Sequence, residues 1–170
     1  MREVPFKNYV VLFVIMLVSV AFVFYLKGWY NASKEYYAVN SVIKDSVSEI
    51  NENEIENYIV ESQKFVLYAS SGSLEDVKNF EVSLKKIIDK LDIYDNVLYL
   101  NLDGVDVSSF NSKLKNMAYN NRVFSMISND SNCVIYLFEN GKIKYVLNDA
   151  NKYSRSYIES LFESWGGLSD

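Results

Sequence analysis

Residues Tyr9 to Leu26 read YVVLFVIMLVSVAFVFYL, an apolar run interrupted only by Ser19 and the two terminal tyrosines. At about 1.5 Å per helical residue the run is roughly 27 Å long, nearly the hydrocarbon thickness of a bilayer. It predicts one transmembrane helix over residues 9–27, with Tyr9, Tyr25, Trp29 and Tyr30 as an interfacial aromatic belt. A cleaved signal peptide is the competing reading. Its apolar region is shorter and ends in a small-x-small site, whereas LKGWYNAS is a poor one. Arg2, Lys7 and the N-terminus precede the run and Lys27 follows it. The basic flank therefore places residues 1–8 in the cytoplasm and the chain from about residue 28 outside the cell membrane.

Beyond the anchor the periodicity changes. Residues 28–45 read as a juxtamembrane stalk in which Val39, Val42 and Ile43 recur at helical spacing, and residues 46–170 as one extracytoplasmic domain. A short alternating run, SVSEI, leads into Asn51-Glu52-Asn53-Glu54, a cap for a helix whose apolar face is Ile55, Tyr58 and Ile59. FVLYA (Phe65 to Ala69) is continuous enough for a strand covered on both faces. Ser73-Leu-Glu-Asp76 reads as a capping box with Ser73 as the N-cap. Behind it Val77, Phe80, Leu84, Ile87, Ile88 and Leu91 recur at spacings of three and four. NVLYLNLD (Asn96 to Asp103) gives the next strand, so strand, long helix and strand form a parallel βαβ unit. A helix is expected from Asp106 to Asn120, and a loop from Asn121 to Asn132. A hairpin follows in which Asn140-Gly141 separates Cys133–Phe138 from Ile143–Val146, and a last helix runs from Ser154 to Trp165. The order β-α-β-α-β-α-β-β-α predicts an α/β sandwich of three layers around a mixed sheet.

Composition removes most chemistries. The chain has no histidine, one cysteine and one proline, Pro5. The usual general base, zinc ligand and Ser-His or Cys-His pair are therefore missing, and neither a disulfide nor Cys-x-x-Cys can form within one chain. The net charge of −5 and pI near 4.9 lack the footprint of a nucleic-acid binder. From residue 28 onward there are 14 basic and 21 acidic side chains, a balance that predicts no attraction to anionic lipid headgroups. Asn31-Ala-Ser and Asn129-Asp-Ser match the glycosylation pattern, but the Asn, Lys, Ile and Tyr bias suggests a bacterial chain, for which they carry no meaning.

CVIYLFENGKIKYV followed by an amphipathic helix resembles the end of the thioredoxins, as does LYLNLD before the third helix. The resemblance spans roughly Val47 to Trp165 and implies a thioredoxin-like fold behind the transmembrane helix. It also implies where a redox centre would lie: a Cys-x-x-Cys at the end of a strand and the start of the long helix, whose N-terminus stabilises a thiolate. The matching stretch, Ser70-Ser-Gly-Ser-Leu-Glu-Asp-Val77, contains no cysteine, and Glu75 and Asp76 would repel a thiolate. The family's cis-proline would fall at Asn132 or Cys133, where this chain has no proline. Fold therefore does not carry the activity with it.

The expected contact surface is the loop in place of the redox motif, Ser70, Ser71, Gly72, Ser73, Leu74 and Glu75, with Asn132 and Cys133 beside it. No P-loop spacing supports a phosphate site around Gly72, and Asp103 and Asp106 read as turn and cap residues rather than metal ligands. The sequence thus points to a membrane-anchored, non-catalytic binding or scaffolding domain with a protein partner in the cell envelope and no cofactor. The alternatives are a single-thiol oxidoreductase acting through Cys133 and a structural subunit of an envelope assembly.

Overall fold

The apolar run of the sequence is part of one helix, α1 (Phe6–Val39), in a computed structural model that describes residues 6–165. Its stretch Lys7–Ser33 is long and apolar enough to cross a membrane. Inside it the Ser19 hydroxyl donates to the Ile15 carbonyl at 2.9 Å, which satisfies it within the helix. Arg2 and Pro5 lie outside the described residues. The stalk differs from the expected short helix of its own. Helix α1 continues to Val39, and Val42 and Ile43 lie past its end, with Ile43 fully buried in the core of the next unit. The chain divides after Val39 into two units, the helix and the domain from Asn40 onward.

The domain is built on five strands, β1 (Ser48–Glu49), β2 (Lys64–Ser70), β3 (Val97–Asn101), β4 (Cys133–Glu139) and β5 (Lys142–Asn148). They lie in the order β1-β3-β2-β4-β5. β1 and β2 run parallel to β3, while β4 is antiparallel to both β2 and β5. The parallel pairing of β2 and β3 requires a crossover, which α3 (Glu75–Leu91) supplies. The β4–β5 turn is Asn140-Gly141, both with positive φ (51° and 73°), the backbone a two-residue hairpin needs to match strand twist.

Alternation along the strands feeds two apolar layers. Val66 and Tyr68 of β2 join Val77, Phe80, Leu84, Ile87 and Ile88 of α3 and Ile158 and Phe162 of α6 (Arg155–Trp165). Phe65, Leu67 and Ala69 face the other way. They meet Ile55 of α2 (Ile55–Glu61), Phe110 and Leu114 of α4 (Val107–Asn116), and Val123 of α5 (Asn121–Met126). Helices on both faces of a mixed sheet give the expected three layers.

Two local expectations are corrected. Ser73 is not the N-cap of α3: that position is Leu74, at φ −80° and ψ 132°, with no side-chain cap, and Glu75 is the first helical residue. The polar stretch after α4 is not all loop. Asn120 caps the short helix α5 by accepting the Val123 N–H at 2.9 Å, and this turns Val123 and Ile127 into the core. The expected cap at the start of α4 is present, with Asp106 Oδ1 accepting the N–H groups of Ser108 and Ser109. The Glu54 carboxyl reaches the Asn51 N–H at 2.9 Å, closing a turn ahead of α2 rather than its first helical turn.

Candidate functional site

The C-terminal end of β2 meets the N-terminus of α3 at Ser70–Glu75, the edge where open α/β sheets hold ligands. β4 brings the second candidate region beside it: Ser70 pairs with Cys133, and the Ser71 N–H donates to the Asn132 carbonyl at 2.9 Å. The loop and the Asn132–Cys133 corner therefore form one locality, as the register of the resemblance requires. No peptide bond among the described residues is cis.

The loop is not uniformly open. Ser70 is buried, Gly72 is buried, Ser71 is half-buried, and Ser73, Leu74 and Glu75 are exposed. Gly72 is covered by the first residues of the domain. A Cβ built on it would stand 2.9 Å from Ser41 Cβ and 3.0 Å from the Ser41 backbone, so only glycine admits this approach. Leu74, 38 % exposed, lies at the mouth of a small cleft of about 250 Å³ shared with Asp76, Asn132, Cys133, Asn151 and Lys152.

Beneath the loop sits a buried polar cluster centred on Glu81 of α3, whose side chain is inaccessible to solvent. Its carboxyl accepts the Val42 N–H at 2.7 Å, the Ser70 hydroxyl at 2.9 Å and the Tyr68 hydroxyl at 3.1 Å. Both oxygens of the Glu81 carboxyl are thus engaged, as burial of a polar group demands. The sequence carries a sign of it. Glu81 stands four residues after Val77 and three before Leu84, on the apolar stripe of α3, where a charged residue type needs buried partners.

Cys133 is 1 % exposed, with its Sγ 3.6 Å from the Tyr68 hydroxyl. Burial pushes its thiol up to about 12, and the Glu81 and Asp76 carboxyls add to the rise. Burial and this upward shift disfavour the thiolate at neutral pH. Burial also holds the Tyr68 hydroxyl well above its usual range, so it stays protonated as a donor to Glu81.

A second hollow, about 720 Å³, opens at the ends of β1 and β3 between Glu49, Glu52, Glu54, Asn101 and Asp106. Asp106 and Glu54 are engaged there as backbone caps, and Asp103 donates its N–H to Asn101 Oδ1. No group of three or more potential metal ligands occurs among the described residues.

No family model matches the chain, and no curated protein matches it. Solved structures do. A Plasmodium falciparum thioredoxin superposes with a TM-score of 0.51 at 14% identity, covering 71% of this chain and 100% of that one. Mitochondrial thioredoxin 3 from Saccharomyces cerevisiae in its oxidized form gives a TM-score of 0.49 at 14% identity, over 71% of this chain and 96% of its own. Identity this low bears on architecture alone, and the strand order and crossover described above agree with it: the domain that begins at Asn40 has the thioredoxin fold.

Proposed function

We propose that the chain is a single-pass membrane protein, N-terminus in the cytoplasm, that presents a redox-inactive thioredoxin-fold domain to bind a protein partner in the cell envelope. One observation carries the reading: where the fold would hold a dithiol, the loop has Ser70–Glu75, with Gly72 sealed under Ser41 and the one cysteine of the chain buried alongside. Leu74, Glu75 and the exposed Asn132 then form the contact surface, an apolar side chain flanked by polar ones beside a shallow cleft. A single-thiol oxidoreductase would need the Cys133 sulfur to reach a substrate disulfide, and both its burial and its raised pKa oppose that step.

The test has two parts. The full chain in detergent should not accelerate reduction of insulin disulfides by dithiothreitol above the uncatalysed rate, because a dithiol cycle needs a resolving cysteine. Protease added to intact spheroplasts should digest the domain from about residue 40. Catalysis of insulin reduction would overturn the redox-inactive reading, and protection of the domain until lysis would overturn its exterior placement.

A further inference from the structure

The acidic balance of the chain hides a segregation of charge. Three segments, Lys115–Met126, Lys142–Asn148 and Tyr153–Tyr157, contain Lys115, Arg122, Lys142, Lys144 and Arg155 and not one Asp or Glu, in a chain with 22 carboxylates. The fold brings these segments together on the face beside edge strand β5. The Ile143 N–H donates to the Met117 carbonyl at 2.9 Å and its carbonyl accepts the Tyr119 N–H at 3.0 Å, which ties the end of α4 to the edge. Asn120, Arg122, Met126, Lys144 and Tyr145 then surround one hollow of about 180 Å³. Tyr145 and Tyr157 share a hydrogen bond at 3.1 Å, and Tyr157 stacks on Tyr153 with ring centres 5.0 Å apart.

Cations and rings are interleaved across this face. Lys144 Nζ lies 3.5 Å from the centre of the Tyr119 ring and Lys115 Nζ lies 5.6 Å from that of Phe124. Tyr119 is 59 % and Phe124 48 % exposed, large rings left largely in water. Two carboxylates border the face: Glu139 is 3.8 Å from Lys144, and Glu159 is 4.0 Å from Arg155. Among the described residues no carboxylate forms an ion pair with Lys115 or Arg122, and Arg122 is exposed.

We infer that this face docks on a membrane surface carrying anionic phospholipid. Lys and Arg interact with phosphate headgroups while Tyr and Phe enter the interfacial layer, the pairing that holds peripheral segments on bilayers. The covalent chain makes that surface the nearest one: Ser41 follows Ser33, the end of the apolar stretch, by eight residues and lies within about 28 Å of it even if fully extended. The inference rests on the anchored reading given above. It also refines the expectation from net charge, since a domain repelled as a whole is attracted through one face, and the two effects together orient it.

The test uses the full chain reconstituted into vesicles of phosphatidylcholine, alone or mixed with phosphatidylglycerol. An environment-sensitive fluorophore is placed by Ser125→Cys, an exposed neighbour of the patch, and buried Cys133 leaves the labelling single. The label should brighten and be quenched by headgroup nitroxides in the mixed vesicles only, and high salt should reverse both effects. Arg122→Gln should weaken contact about fivefold, with Arg122→Lys restoring it. Equal signals in both vesicle types, from protein that resists alkaline extraction, would overturn the inference while leaving the anchor intact. A response to soluble polyglutamate without one to phosphatidylglycerol would overturn it in favour of an acidic protein partner. Extraction of the chain by alkali would overturn the anchored reading, and this inference with it.

Discussion

The carboxyl of Glu81 accepts the backbone N–H of Val42 at 2.7 Å. A helix that begins at the Ser70–Glu75 loop thereby holds the residues that follow α1 in the chain, and the same carboxyl takes the hydroxyls of Tyr68 and Ser70. Glu81→Leu fills the space but orphans three donors, two of them buried hydroxyls. It should cost about 3 kcal/mol or more, against roughly 1 kcal/mol for Glu81→Gln, which keeps one acceptor. Thermal unfolding of the full chain in micelles, followed by near-ultraviolet circular dichroism, measures the difference.

Gly72→Ala acts on the same junction from the other side. Its Cβ would press on Ser41 backbone atoms at 3.0 Å, which cannot rotate away, so a loss of about 1–3 kcal/mol is expected. Limited proteolysis should show faster cleavage between residues 40 and 47 in this variant. Gly28→Ala, with nothing within 4 Å, should leave stability and cleavage unchanged.

Helix α3 starts without a side-chain cap at Leu74, although its backbone there has the extended geometry an N-cap residue adopts. Leu74→Asp supplies an acceptor for the first-turn N–H groups and a charge suited to the helix dipole. A gain of about 1 kcal/mol in urea unfolding is expected, reduced by the neighbouring Glu75 and Asp76 carboxyls.

Alkaline pH should destabilise the domain in two steps. Burial raises the Cys133 thiol to about 12 from an ordinary value of 9.0, so the unfolded chain releases this proton first. The stabilisation is full below pH 9 and falls as pH rises toward 12, by about 1.4 kcal/mol per pH unit. Tyr68, Tyr99 and Tyr136, all raised chiefly by burial, add to the slope above pH 10. Cys133→Val should remove the part that begins near pH 9 and leave the part above pH 10, as read from stability against pH in urea titrations.

The elements that bury a periodic apolar face were legible in the sequence. Val77 to Leu91 marked α3, FVLYA marked β2, and Asn140-Gly141 fixed the hairpin because its φ values are a property of those two residues. Asn121–Met126 was not legible as a helix, since six residues give barely two turns and its cap, Asn120, looks like any loop asparagine. Ser73 fitted a capping box by spacing but sits one residue too early, because Leu74 supplies the extended backbone before the helix. The candidate loop could be located from pattern alone. What covers it could not, because the contact between Gly72 and Ser41 joins residues 31 apart that no periodicity connects.

The most direct test of the account is the yield of partner crosslinked to the full chain in native membranes, compared among wild type, Cys133→Ser and Leu74→Asp. A non-catalytic contact surface at the vacant redox loop requires Cys133→Ser to capture as much partner as wild type. Leu74→Asp, which does not lower stability, should capture about tenfold less, the equivalent of one lost apolar contact of roughly 1.4 kcal/mol. Loss of a reductant-sensitive complex in Cys133→Ser, or undiminished capture by Leu74→Asp, would contradict it.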